Sequence, residues 1–311
     1  MKTSITMAAV AALLALSVPR AASATPGVSI DSARLAPQPR TELRASIDKA
    51  RLADPAAFRD VREILAHARE TDKRARGRKA PLAAHLANLG TRSLLPLLEL
   101  LAFDAPPLAP GETTRDRAVL ERDIVEATGL PHDVRATPVL LALLARDADF
   151  QTTRTTAEAV GRLETPEAAS ALVSSANSAV GERATAIFAG MGWCHRTAVA
   201  QALAARLASH PDEALAAHLV KSLGRAGNAW AWKTLADRTE ESAARETAAR
   251  ALVAAYVYYT GDVREAAAKA LLVVDDSHAE ALLQAARRGA SPDAAAAIDD
   301  LARRLAENPT H

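Results

Sequence analysis

"AEAVGRLETPEAASALV", residues 157–173, places two short runs of Ala, Val and Leu on either side of a glycine and a Thr-Pro step. Ala157, Val160 and Leu163 fall on one face of a helix, and Ala169, Leu172, Val173 and Ala176 repeat the pattern at i, i+3, i+4, i+7. Gly161 is expected to take the left-handed conformation that closes a helix C-terminus. Thr165 can offer its hydroxyl to the free N–H groups of a new helix, and Pro166 suits a first turn, where no N–H is needed. The stretch therefore reads as two helices around a tight turn.

The same arrangement returns along the chain. Glycines ending apolar runs fall at Gly90, Gly129, Gly161, Gly192, Gly224, Gly261 and Gly289, with steps of 39, 32, 31, 32, 37 and 28 residues. A period near 32 held over two hundred residues marks a stacked repeat. Thr137-Pro138, His210-Pro211 and Ser291-Pro292 repeat the start signal of Thr165-Pro166. About a quarter of the residues are Ala, a strong helix former small enough for close helix approach. The one strand-like run, "YVYYT" at 256–260, is short and sits in the helical phase of its repeat. No single hairpin can bury its apolar face alone, so the core has to come from stacking. These features predict an all-α solenoid of about six or seven antiparallel helix pairs.

With its "A…ALG…L…P…A…L" pattern about every thirty residues, the chain resembles the HEAT-like repeat family first named in phycobilin lyases. The resemblance is good over 149–240, fair over 80–148 and 241–306, and absent in 25–57. It implies a curved α-solenoid that binds another macromolecule. The family's folds also include pigment-attachment lyases and DNA-repair glycosylases, so an enzyme of that kind is an alternative, as is a passive structural component of the cell envelope.

The ends differ from the middle. Lys2, the apolar run "MAAVAALLALSV" and "ASA" at 22–24 have the layout of a secretory signal peptide, with the mature chain starting at Thr25. The apolar run is shorter than the ~20 residues that a membrane span needs. Residues 25–41 mix Pro, Gly and polar side chains and read as a poorly ordered lead-in to a solenoid over 42–311. Phe58, Val61, Ile64 and Leu65 form the stripe of an N-terminal capping pair. The basic run "RETDKRARGRK" (69–79) reads as a solvated connector, and "FDAPPLAPG" (103–111) as a loop. A final helix, about Pro292 to Glu307, sets Ile298, Leu301 and Leu305 against a charged exterior, as the end of a stack requires.

The 311 residues carry 38 basic and 37 acidic side chains. Without Lys2 and Arg20 the mature chain has 36 against 37, a net charge of −1. Such a chain, with no sustained basic stripe, is a poor nucleic-acid binder. Cys194 is the single cysteine, so stability must come from packing rather than an internal disulfide.

Motifs for chemistry are sparse. HExxH, CxxC and GxSxG are absent from the sequence, and no histidines share i, i+4 spacing, so no metal or cofactor is expected. "GMGWCH" (190–195) lacks the third glycine and preceding strand of a nucleotide loop. Cys194-His195 is a reactive-looking pair, but adjacent residues do not face one another on a helix, and a buried thiol beside an incidental imidazole is the plainer reading.

The aromatics are more pointed. All three Trp and all three Tyr lie between 193 and 259. Trp193 and Tyr259, each near a turn glycine, are the first candidates for a recognition surface, with Tyr258 and Trp230 beside them. Trp230 and Trp232 open a second helix and cannot both point the same way, so one belongs to the core. The expected function is an exported, non-catalytic scaffold for a protein or peptide partner.

Overall fold

The computed structural model of the protein describes residues 35–74, 82–104 and 114–308. The expected signal peptide, residues 25–34 and most of "FDAPPLAPG" lie outside the described residues. Two long helices lead, α1 (Pro37–Ala53) and α2 (Pro55–Arg74), followed by α3 (Leu82–Ala87), α4 (Leu94–Ala102), α5 (Thr114–Gly129) and α6 (Thr137–Ala145). The middle holds α7 (Phe150–Gly161), α8 (Pro166–Ser178), α9 (Gly181–Met191) and α10 (Thr197–Ala208). The C-terminal third holds α11 (Glu213–Ala226), α12 (Ala229–Thr234), α13 (Glu241–Tyr258), α14 (Gly261–Val274), α15 (Ala279–Arg287) and α16 (Pro292–Ala306). No strand occurs among the described residues.

The helices form two layers. One runs α3, α5, α7, α9, α11, α14, α16, each packed on the next, and the other runs α4, α6, α8, α10, α13, α15. Contacts between layers join α4 to α5, α6 to α7, α8 to α9, α10 to α11, α13 to α14 and α15 to α16. The protein is an all-α solenoid of stacked antiparallel helix pairs. Its core is a continuous seam of Leu, Val and Ala between the layers, in which Ala157, Val160, Leu163, Ala169, Leu172 and Ala176 are all buried.

The opening stretch folds as a hairpin, but its glycine does a different job from the one expected. Gly161 is helical, and a Cβ there would lie 3.1 Å from Cys194 N and from Trp193 C. The left-handed residue of this turn is Glu164, at φ 56°. Gly129, Gly192 and Gly224 likewise face the next helix of their layer: a Cβ would come within 2.7 Å of Ala159 Cα, 2.7 Å of Ser222 Cα and 2.8 Å of Ala270 Cβ. At these four positions the glycine lets parallel first helices approach, whereas Gly90, left-handed at φ 62°, meets nothing within 4 Å. Gly261 does have positive φ, yet it opens α14 rather than closing a helix.

Helix starts follow local chemistry where the cap is complete. Thr165 accepts from the Ala168 N–H at 3.1 Å, and Ser291 accepts from the Ala294 N–H, each with a proline in the first turn. The other two Pro steps differ. Thr137 lies inside α6 and donates to the Val134 carbonyl, while His210 is left-handed and Asp212 caps α11.

Three boundaries move. Helix α1 begins at Pro37, so residues 37–41 are helical rather than part of a disordered lead-in. Residues 69–74 continue α2 instead of forming a connector. Trp230 and Trp232 belong to α12, an inserted helix of six residues, whereas the second helix of that pair is α13. The insertion accounts for the 37-residue step. At the far end Ile298, Leu301 and Leu305 are buried against the stack and close it.

Candidate functional site

Each pair turns from its first helix to its second along one edge of the solenoid. Three successive turns, after α7, α9 and α11, gather most of the unusual side chains there. Glu164, held left-handed, accepts from the His195 backbone N–H at 2.8 Å and lies 2.5 Å from His195 Nδ1. His195 then meets the Trp232 ring edge-on, with centroids 5.7 Å apart. Trp232 is 1% exposed and donates its indole N–H to the Ala226 carbonyl at 2.9 Å, which pins α12 to the end of α11. Arg196 donates twice to the Glu164 carbonyl and once to Glu240, whose second oxygen accepts the Thr197 N–H. Burial pushes the Glu240 carboxyl up, but the Thr197 N–H and the Arg196 guanidinium outweigh it and hold the group below its ordinary value.

Beside this network lies an open groove of about 400 Å³, lined by Pro166, Ala169, Val173 and Ala198, with Arg196 and Glu240 at its end. Because those two charges bond to one another, the groove is close to electrically neutral.

Cys194 is fully buried, and burial pushes its thiol far above the ordinary range. A thiol that resists ionisation and has no exposed surface is a poor nucleophile or attachment point. His195 faces Glu164 and Trp232, so its ring is committed to the turn network.

The aromatic candidates divide between the two edges. Trp193 follows α9 at the turn edge and is half-buried. Arg162 lies over its ring at 4.3 Å and Arg225 at 5.4 Å. Trp230 sits on the same edge, 59% exposed, with Lys233 over its ring at 4.4 Å. Trp230 and Trp232 thus split into one outward and one core side chain.

The tyrosines are at the opposite edge, where α13 ends. Tyr258 is 56% exposed and stacks on His210 with centroids 3.8 Å apart. Tyr259 corrects an expectation: it is 7% exposed, and its hydroxyl donates to the Pro211 carbonyl at 2.8 Å. Its backbone leaves the helix, but the side chain turns back under the neighbouring repeat, so it builds the turn instead of presenting a surface. Tyr256 is buried too and donates to the Ala297 carbonyl.

Arg162 and Arg225 belong to no sequence motif. Their signal is visible only in register, as Gly161-Arg162, Gly192-Trp193 and Gly224-Arg225, one dipeptide from each of three stacked repeats. No family model matches the chain, and no curated protein matches it.

Proposed function

We propose that the protein is an exported, HEAT-like scaffold that recognises a protein or peptide partner without catalysing a reaction. The observation that carries the reading is the exposure of Trp230 and Tyr258, the two aromatic rings among the exposed large apolar side chains, the others being the aliphatic Leu52, Val134, Val180 and Val273. Neither is loose. Trp230 is presented by α12, which Asn228 caps and Trp232 anchors, and Tyr258 is braced by His210 and by Tyr259. Rigid aromatics held in the open are what recognition hot spots are made of, because little freedom remains to be lost on binding.

Trp232, two residues from Trp230, packs with Ala244 near the start of α13, and Tyr258 ends that helix, whose 18 residues span about 27 Å at 1.5 Å per residue. An extended segment of about eight residues covers that distance. Export is supported by the N-terminal charge, apolar run and small-residue site in the sequence. The buried, ionisation-resistant Cys194 weighs against covalent pigment attachment at that residue.

The test uses Trp230→Ala and Tyr258→Ala, purified from the native host beside the parent chain. Each is expected to leave stability within about 0.5 kcal/mol, as exposed substitutions do, and to lose a co-purifying partner. Trp232→Ala, a core truncation, is expected to cost about 3–5 kcal/mol. A partner retained equally by parent and both surface variants would refute the reading.

A further inference from the structure

Four arginines along the turns spend donors on backbone carbonyls at helix ends. Arg183 donates to the Leu144 and Arg146 carbonyls, Arg196 to Glu164, Arg245 to Val274 and Asp275, and Arg264 to Tyr256 and Tyr259. Those carbonyls are the unpaired ends of helices, so the arrangement is structural.

Arg162 does not follow the rule. It is 6% exposed, and its Nη1 is buried with no hydrogen-bond partner. Glu158 and Glu126 are near enough to act on it through space, but neither pairs with it, and Glu158 instead accepts from Arg154 at 2.8 Å. The Trp193 indole N–H beside it is also buried without a partner. On the far side of Trp193 stands Arg225, half-buried, its side chain in no ion pair among the described residues. One guanidinium Nη1 and one indole N–H, both buried without an acceptor, therefore meet beneath a second guanidinium, that of the half-buried Arg225.

An isolated buried cation is costly, and a buried donor without an acceptor costs more than the bond would have contributed. Cation–π contact with Trp193 offsets part of this, but it leaves the in-plane N–H groups of both guanidinium ions unused. The missing component is an oxyanion: a planar carboxylate accepts paired N–H donors from a guanidinium in matched geometry. Trp193 and Arg225 are only half-buried, so the donors lie one side-chain layer below the surface.

We infer that Arg162, Trp193 and Arg225 form a receptor for a carboxylate, supplied by an acidic side chain of a bound polypeptide. The inference rests on the scaffold reading and narrows it to partners with an exposed Asp or Glu. The donors themselves would also take a free oxyanion, and the experiment separates the two sources. Purified mature chain is titrated calorimetrically with an acetylated, amidated tetraglutamate peptide, with the matching tetraglutamine peptide, and with inorganic phosphate.

The expected result is binding of the glutamate peptide at least tenfold tighter than the glutamine peptide or phosphate, weakening as salt is raised. Arg225→Gln and Trp193→Phe should each weaken it by about tenfold or more, the size of one charge-assisted hydrogen bond. Arg162→Met should abolish it while leaving the thermal midpoint of the unliganded protein equal or higher, since it removes a buried charge that has no hydrogen-bonded partner. Equal affinity for the glutamate and glutamine peptides would overturn the proposal, and so would phosphate binding as tightly as the glutamate peptide. An Arg162→Met variant that unfolds early yet binds normally would also overturn it, by making the arginine structural. Trp230→Ala and Tyr258→Ala should keep full affinity for the peptide, so failure of the aromatic surface and failure of this receptor are told apart.

Discussion

Gly192 is where the stacking account can be broken most cleanly. It ends α9 in right-handed conformation, so replacing it with Ala meets no backbone strain. A Cβ there would lie 2.7 Å from both Cα and the carbonyl oxygen of Ser222, closer than Cβ atoms come to non-bonded neighbours. Both contacts are backbone, and Ser222 is itself locked by its hydroxyl bond to the Phe188 carbonyl. Restoring ordinary contact at 3.4 Å requires α9 and α11 to part by about 0.7 Å. A gap of that size forfeits a quarter to a half of each affected dispersion contact. Overpacking of this kind costs about 1–3 kcal/mol, and an obstacle made of backbone belongs in the upper part of that range. The expected loss is about 2–3 kcal/mol, or about 3–5 °C in thermal midpoint for a chain of this size.

Two further glycines serve as controls. Gly181→Ala has open space but φ 58°, and should cost about 1–2 kcal/mol through strain alone. Gly289→Ala has neither obstacle nor positive φ, and should be neutral or gain up to about 1 kcal/mol. Circular dichroism melts of the three variants give the order directly. A Gly192→Ala protein as stable as the parent would refute close approach as the reason for the repeated glycine.

Other outcomes follow from the same structure. Truncation after Asp276 removes α15 and α16, including the buried Leu283, Ile298 and Leu301; far-UV ellipticity per residue should hardly change while self-association rises, and collapse of the helical signal would mean a single closed core. The Glu240 carboxyl is held below its ordinary 4.5, so the stability it contributes is present above that pH and is lost as pH falls through the folded value; Glu240→Gln should flatten acid unfolding below pH 4.5, and an unchanged acid profile would contradict this. Protein isolated from the native host should begin at Thr25, and soluble protein that keeps Met1 would sink the export proposal.

The architecture was legible because its punctuation is local. Thr165-Pro166 and Ser291-Pro292 carry their caps within four residues, so the side chains alone announce a helix start. Gly161 was misread because a left-handed turn and a close helix approach select the same residue. Only the position of α9 shows which applies. The Trp230 and Trp232 pair illustrates the same limit: a two-residue spacing says that one faces inward, but the Ala226 carbonyl that makes it Trp232 comes from the preceding helix. Tyr259 was placed outside because it follows a helix end, and its acceptor, Pro211, is 48 residues away. Arg162 was overlooked for a chemical reason, since an arginine in a turn is ordinarily solvated and only its buried, unbonded Nη1 sets it apart.

The central claim is that Trp230 and Tyr258 touch a polypeptide partner. A photo-crosslinking amino acid placed at 230, at 258 and at the exposed control position Lys269 in α14, expressed in the native host and irradiated, tests it directly. The same discrete crosslinked protein is expected from positions 230 and 258 and none from 269. Adducts absent from both aromatic positions, or identical from all three, would contradict it.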